Sequence, residues 1–377
     1  MNCREDLILV ETKKQQNQTI HFFQSTTELE PVWDNFLARS SCSHFEQSCA
    51  WAIMKKRAGW FFWRIIIELD GKIIGGFQIL WKKKFTFLKI GLLPKGPIIE
   101  TNDPIIIDLI IDFLKKYTKR KLNVLIIQPP VKNFELYHKL IEKGLVNNEI
   151  SFIIKSATVT VDLSSIDDLW NKMKRQKKQN IRRAEEAGII IRQGDNRELS
   201  IFFELMKETC QRRKVSPNPP SLHLIECLWD CLAPRGQIKL FLAQGQNEII
   251  SGILVILLAK IAYLWKFGWS GRYANYYPNE LLFWEIFKWA KQQGYDRVDL
   301  GYITSYQRIG RILLDTCDSW PDKSDAAFKM SLGGEITKLP PAAVYIPSFL
   351  IRLFYKLLIP WVDARPKIRD RFIRITE

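Results

Sequence analysis

The sequence is short of several things that common enzyme classes require. It holds four histidines, His21, His44, His138 and His223, and none has ligand-like spacing beside another histidine or a cysteine. Its seven cysteines, Cys3, Cys42, Cys49, Cys210, Cys227, Cys231 and Cys317, include no CxxC pair. An odd thiol count without that spacing speaks against a disulfide framework or a structural zinc site, and no metal is expected. There is no GxSxG elbow, HExxH, Walker A or GxGxxG motif, which argues against a serine or zinc hydrolase. Long apolar runs are missing too. IISGILVILLA (249–259) ends at Lys260, whereas a spanning helix needs about 20 residues, so this run reads as a buried strand. The N-terminal MNCREDLILVETKKQQNQ interrupts its apolar residues with charges and does not read as a signal peptide, so a reducing cytoplasm is expected. Acidic residues are outnumbered, 40 Asp and Glu against 56 Lys and Arg, for a net charge of +16. That surplus favours an anionic partner: nucleic acid, a phosphorylated substrate or an acidic membrane.

What is present is globular. Hydrophobic residues make up 47% of the 377, aromatic 12% and charged 25%, which excludes disordered and collagenous classes. At roughly 150 residues per domain, the length predicts two domains. A duplication supports that number. Residues 64–91 read RIIIELDGKIIGGFQILWKKKFTFLKIG, and residues 239–268 read KLFLAQGQNEIISGILVILLAKIAYLWKFG. Both read as strand, polar turn, strand, short polar break, strand. Asp70-Gly71 is a strong hairpin signal, Gly245-Gln246-Asn247 is its counterpart, and IIGG (73–76) aligns with IISG (249–252). A helix starting near Pro104 leads to the strand NVLIIQPP, and one starting near Pro278 leads to DRVDLGYI. The pattern predicts tandem α+β domains with mixed sheets flanked by helices. The expected limits are a loose arm over 1–18, a first domain over 19–160, a second over 161–340 and a basic amphipathic tail over 341–377.

Four segments bear on the chemistry. LWNKMKRQKKQNIRRAEEAG (169–188) reads as one basic helix, started by Ser164-Ser165 and stopped by Gly188. Lys172, Lys174, Arg175, Lys177, Lys178, Arg182 and Arg183 place seven cations within twelve residues. Their mutual repulsion would be relieved by a phosphate-rich partner. Nothing in the segment reads base edges, so sequence-specific DNA binding is not expected. The tail IRLFYKLLIPWVDARPKIRDRFIRI sets Leu350, Ile351, Leu353, Phe354, Leu357 and Leu358 beside Arg352 and Lys356, a pattern that suits an anionic membrane surface or packing on the body. GWSGRYANYYPN (268–279) stands where an acetyl-CoA enzyme would cradle pyrophosphate. Tyr273, Tyr276 and Tyr277 are bulky where such a cradle needs small residues. QRIGRI (307–312) resembles a pyrophosphate loop but follows a strand instead of preceding a helix.

Six segments, in order, resemble the FemABX family of peptidoglycan interpeptide-bridge aminoacyltransferases. They are FEQSCAWAIMKK (45–56), PKGPII (94–99), LWNKMKRQKKQNIRRAEEAGIII (169–191), FFELMKETCQRR (202–213), PNELLFWEIFKWAKQQGYDRVDLG (278–301) and AFKMSLGGE (327–335). The resemblance implies two tandem GNAT-like (acyl-CoA N-acyltransferase-like) domains, and the short basic helix is similar to that of members lacking a long coiled-coil arm. It implies transfer of an amino acid from aminoacyl-tRNA to an amino group on the peptide of UDP-MurNAc-peptide or lipid II. No cofactor beyond the aminoacyl-tRNA co-substrate is then expected, and the site would lie in the cytoplasm or at the inner face of the plasma membrane. Lys329 matches the family lysine near the transferring ester, where a cation would stabilise the oxyanion. Phe328 would pack under the tRNA acceptor end. Lys55 and Arg212 match cations that would meet the acceptor's phosphates or carboxylates, and Tyr277 lies in the family's aromatic stretch. The chain has Tyr302 where the family often has a second glycine. Asp299, at a strand end, reads as structural. Two other readings stay open: a CoA-dependent N-acyltransferase of polysaccharide or lipid assembly, and a non-catalytic RNA- or membrane-binding protein.

Overall fold

The computed structural model describes residues 6–15, 17–84, 88–147, 157–303, 324–363 and 365. QRIGRI, Cys3 and Cys317 lie outside the described residues. The chain divides into two units, Met1–Ser156 with Lys338–Glu377, and Ala157–Thr337.

In the first unit a sheet runs in the order β1 (Leu7–Gln15), β2 (Gln18–Ser25), β3 (Phe61–Leu69), β4 (Lys72–Lys84), β5 (Leu88–Leu93), β7 (Val124–Ile127), β16 (Ala343–Tyr345), β8 (Val146–Asn147), and β6 (Ile98–Ile99) pairs with β4. Helices α1 (Pro31–Arg39) and α2 (Cys49–Arg57) lie between β2 and β3 in the chain; α3 (Pro104–Thr118) and α4 (Phe134–Glu142) come later. The turn Asp70-Gly71 has φ of 49° and 81°, the left-handed pair that a two-residue hairpin requires. Pro104 sits in the first turn of α3, and the Asp103 carboxylate accepts from Ile105 N at 2.8 Å. Residues 7–15 are not a loose arm. They pair antiparallel with β2 and form an edge strand, exposed at Ile8, Leu9, Val10, Thr12 and Lys14. The tail reading also needs correction, because Ala343–Tyr345 returns to this sheet between β7 and β8.

The FEQS and PKGP segments meet in the polar core of this unit. Gln47 Oε1 accepts from Gln78 N at 2.8 Å, and Gln47 Nε2 donates to Gln78 O at 3.2 Å and Pro94 O at 2.6 Å. Arg64 is fully buried. Its guanidinium donates to Gln78 Oε1 at 2.8 and 3.1 Å, Thr27 O at 3.1 Å and Glu28 O at 3.2 Å. Gly75 and Gly76 face backbone: a methyl group on either would collide with the carbonyl of Ile98 or Ile65. The IIGG motif therefore lets the neighbouring backbones approach β4 closely.

The second unit repeats the plan. Its sheet order is β10 (Ile190–Gly194), β11 (Ile238–Gly245), β12 (Glu248–Leu258), β13 (Ile261–Trp269), β14 (Arg297–Tyr302), β9 (Ala157–Asp162), β15 (Glu335–Lys338). Helices α5 (Ile166–Lys172), α6 (Arg175–Glu186), α7 (Leu199–Arg213), α8 (Leu222–Leu232), α9 (Pro278–Gln292) and α10 (Asp325–Ser331) belong to it, and α11 (Phe349–Asp363) belongs to the first unit. Gln246 and Asn247 take φ of 47° and 64°, matching the turn at Asp70-Gly71. In each unit a meander of three strands, a helix and a strand parallel to the meander's last strand follow in order: β3–β4–β5, α3, β7, and β11–β12–β13, α9, β14. β9 already belongs to the second sheet, so the division falls slightly before residue 161.

The basic segment is two helices instead of one. Met173 is buried and its N–H donates to Leu169 O and Trp170 O at 3.2 Å, ending α5. Lys174 is extended, with ψ of 137°, and donates its N–H to Ser331 O at 3.1 Å. That bond to α10 replaces an intrahelical one and restarts the helix at Arg175.

Candidate active site

The candidate site of the second unit forms around the end of β14. β13 and β14 register in parallel over Ile261–Tyr263 against Arg297–Asp299. Beyond that, Gly301 has φ of +82°, a left-handed turn at the strand's end. The Asp299 carboxylate fixes this turn, accepting from Thr158 Oγ1 at 2.5 Å and Gly301 N at 2.7 Å. Asp299 thus has the structural role expected from its strand-end position.

α10 begins with Ser324 Oγ accepting from Ala327 N at 3.0 Å and delivers Lys329 to that turn. The Lys329 ammonium donates to Gly301 O at 3.2 Å and Tyr302 O at 3.0 Å, and it pairs with Asp325 Oδ2 at 2.9 Å. Three acceptors match the three protons of an ammonium. Lys329 is 7% exposed, whereas the Asp325 side chain is 27% exposed, so the carboxylate is the partner that solvent or substrate reaches most easily. After α10, side chains at Gly333 and Gly334 would collide with Leu169 and Val159, which explains why two glycines close this block.

Phe328 and Lys177 join Lys329. Lys177 Nζ lies 4.5 Å from the centroid of the Phe328 ring, and that ring meets Phe283 edge-on at 5.4 Å. The same ammonium pairs with Glu280 Oε1 at 2.8 Å, and Asn180 Nδ2 donates to that oxygen at 3.2 Å. Glu280 stands in the first turn of α9, where the helix N-terminus favours negative charge. Sequence reasoning did not find Glu280, Asn180 or Asp325. A carboxylate in a helical first turn is common, and no motif marks these three.

Lys177 therefore separates from the other six basic-segment cations. Lys174, Arg175, Arg182 and Arg183 are exposed. Lys178 donates to Asn171 O at 3.3 Å. Lys172 pairs with Glu335 at 3.2 Å across an exposed bridge, a kind of pair that contributes under about 1 kcal/mol. The Lys177–Glu280 pair is much more enclosed, with side-chain exposures of 17% and 9%. Lys177→Met is expected to lower the stability of the second unit by about 2–4 kcal/mol, because the enclosed Glu280 carboxylate would lose its ion-pair partner. Urea unfolding measures this, and a change below about 0.5 kcal/mol would show that water reaches the carboxylate.

None of the contacts described for Lys329, Phe328 and Lys177 involves Arg212, Tyr277 or Lys55. Arg212 is clamped to the loop after β13: it donates to Trp269 O and lies 5.1 Å from the Trp269 ring centroid. Tyr277, in left-handed conformation with φ of 54°, precedes Pro278 at the start of α9. Lys55 belongs to the first unit, on α2, with its ammonium 5.4 Å and 5.9 Å from the Trp51 and Trp60 ring centroids. Burial pushes the Cys49 thiol upward and the Cys231 thiol to about 11, so neither supplies thiolate at neutral pH. Among the described residues no group of His, Cys, Asp and Glu is placed to hold a metal, and no helix is long and apolar enough to cross a membrane.

A GNAT-like unit raises the question of acetyl-CoA. The residues here do not fit its pyrophosphate. The first turn of α9 presents Pro278, which has no N–H; Asn279, whose Oδ1 accepts from Ser251 Oγ at 2.7 Å; and the Glu280 carboxylate. The approach is filled by Trp269, Arg272 and Tyr273, fixed by Trp269 Nε1 to Arg272 O at 3.1 Å and Tyr273 OH to Gln246 Oε1 at 3.0 Å. A phosphate placed there would find no N–H at Pro278 and bulky side chains where free amides are needed.

Comparison with known proteins matches a different family profile to each half. The FemAB family profile matches residues 26–160, and an acetyltransferase (GNAT) domain profile matches residues 171–308. A lipid II:glycine glycyltransferase of Staphylococcus aureus (strain MRSA252) is 26% identical over 226 residues, 56% of this chain and 52% of that protein. The matched stretch thus spans about half the length of the curated relatives. Among solved structures, FemX superposes with a TM-score of 0.73 at 19% identity, covering 93% of this chain and 100% of FemX. A tandem GNAT protein from the clavulanic acid biosynthesis pathway superposes with a TM-score of 0.50 at 9% identity, covering 87% of this chain and 99% of its own.

Proposed function

We propose that the chain is a member of the FemABX family, as the FemAB profile over residues 26–160 supports, and that it transfers an amino acid from aminoacyl-tRNA to an amino group on the peptide of a peptidoglycan precursor. The observation that carries the reading is the group at the end of β14, where the buried Lys329 ammonium adjoins Phe328, itself faced by Lys177. The reacting amine, neutral and aligned, attacks the ester carbonyl of the aminoacyl-tRNA. A C–N bond forms, the ester C–O bond breaks, and the amine's proton ends on the departing ribose oxygen. Charge gathers on the carbonyl oxygen in between. A cation held in a low-dielectric site stabilises it without reorganising, and alignment of the amine supplies much of the remaining rate. Asp325 is the partner that Lys329 exchanges for the oxyanion. Phe328 offers its ring to the terminal base of the tRNA. Lys172, Lys174, Arg175, Lys178, Arg182 and Arg183 take the tRNA backbone, and Arg212 and Tyr277 take the acceptor. The relatives' name supports lipid II as acceptor, and with it a working place at the inner face of the plasma membrane. The closed phosphate approach at Pro278 disfavours acyl-CoA as donor.

Mass spectrometry of acceptors tests the reading. Lipid II or UDP-MurNAc-pentapeptide, incubated with the protein and a pool of aminoacyl-tRNAs, is expected to gain the mass of one amino acid residue or more. Unchanged masses on both acceptors would overturn it.

A further inference from the structure

α11 carries two opposed faces. On one, Ile351 and Tyr355 pack on the sheet cluster of Ile126, Ala342, Val344 and Ile346. Arg352 fastens the same helix by donating to Ile346 O at 2.9 and 3.3 Å. On the other, Phe349, Leu350, Leu353, Phe354 and Leu357 are 73%, 69%, 47%, 69% and 70% exposed. At about 100° per residue these five cover an arc of about 140°, well separated from Ile351 and Tyr355. Such a continuous apolar arc, on a helix already anchored by its other face, is unlike the scattered apolar residues of an ordinary surface.

Charge selects the occupant. From residue 364 to the end, ARPKIRDRFIRITE holds Arg365, Lys367, Arg369, Arg371 and Arg374 against Asp370 and Glu377. An apolar helix face followed at once by a cation-rich stretch matches the interface of an anionic bilayer, where the apolar side chains enter the acyl boundary and the cations meet lipid phosphates. A second copy of this chain would bring the same positive segment against itself. We infer that α11 is an interfacial docking helix that lays the first unit on an anionic membrane surface through Phe349, Leu350, Leu353, Phe354 and Leu357. This helix deepens the membrane placement proposed above without resting on the transferase chemistry, and it requires no substrate to test.

The test is co-sedimentation of the full chain with vesicles of phosphatidylcholine alone and with about 30% phosphatidylglycerol. The wild type is expected to pellet with the anionic vesicles and to bind them less as salt is raised. The variant Leu353→Ser/Phe354→Ser/Leu357→Ser is expected to lose binding by tenfold or more, because three largely buried-on-binding side chains are removed. Its melting transition is expected to match the wild type, since all three are solvent-facing in the free protein. A second variant, Arg365→Gln/Lys367→Gln/Arg369→Gln/Arg371→Gln, is expected to lose the preference for anionic over neutral vesicles. Failure of the wild type to bind anionic vesicles, or equal binding by the serine variant, would overturn the inference. So would a dimer in solution that the serine variant converts to monomer while vesicle binding is absent, which would give this face to a second copy.

Discussion

Lys329→Gln is expected to lower the rate of amino acid transfer by about 10²–10³-fold, the usual cost of losing a preorganised oxyanion partner. The expectation follows from the three bonds of the ammonium. Two go to Gly301 O and Tyr302 O at the end of β14, and one goes to the more exposed Asp325. Glutamine can still donate to a carbonyl, so β14 and α10 keep part of their tie, but the positive charge is gone. The residual amide also leaves Asp325 without its cation. A stability loss of about 1–3 kcal/mol accompanies the change, and it must be separated from the catalytic loss. The rate per folded molecule does this, with the folded fraction taken from urea unfolding. A rate that falls only in proportion to the folded fraction would make Lys329 a structural tie and remove it from the chemistry.

The largest stability effect is expected in the other unit. Arg64→Met should destabilise the first unit by about 3–5 kcal/mol, enough to leave a domain of ordinary stability marginal. Arg64 is fully buried, and its guanidinium satisfies Gln78 Oε1, Thr27 O and Glu28 O together. Ser25 Oγ, which donates to Glu30 at 3.0 Å, lies beside it at 3.5 Å. Methionine fills much of the volume but donates none of these bonds, so two part-buried carbonyls and a buried amide oxygen lose their donor. Gln78 in turn orders Gln47, so the loss spreads to the contact between the FEQS and PKGP segments. A urea midpoint for the first unit within about 1 kcal/mol of wild type would show that water or a neighbouring donor replaces the guanidinium.

Much of the fold was legible because the signals were local. The Asp70-Gly71 and Gln246-Asn247 turns need left-handed backbone, and their residues permit it. Pro104 and Pro278 stand in first helical turns. The strand at 249–259 has one long apolar run because both faces are buried. What failed was decided at a distance. KMKRQKKQ is good helical sequence throughout, and only the Lys174 N–H bond to Ser331 O breaks it. LILVETKKQ reads as an arm because charges interrupt it, yet an edge strand tolerates charges on its open side. The short AVY strand follows prolines in a segment otherwise patterned as a tail, and only its pairing with β7 and β8 makes it part of the first sheet. The site shows the same division. Phe328 and Lys329 were singled out by motif, and Lys177 by charge density. That Lys177 turns inward to Glu280 depends on where α9 begins relative to α6, and no spacing within either segment encodes it.

The most direct test of the account is a donor competition. The purified protein receives lipid II and UDP-MurNAc-pentapeptide together with radiolabelled aminoacyl-tRNAs in one tube and radiolabelled acetyl-CoA in another. The account predicts that label reaches the peptide from aminoacyl-tRNA alone and that Lys329→Gln removes nearly all of it. Label arriving only from acetyl-CoA would contradict the account, because it would require a phosphate cradle where Pro278, Asn279 and Glu280 now stand.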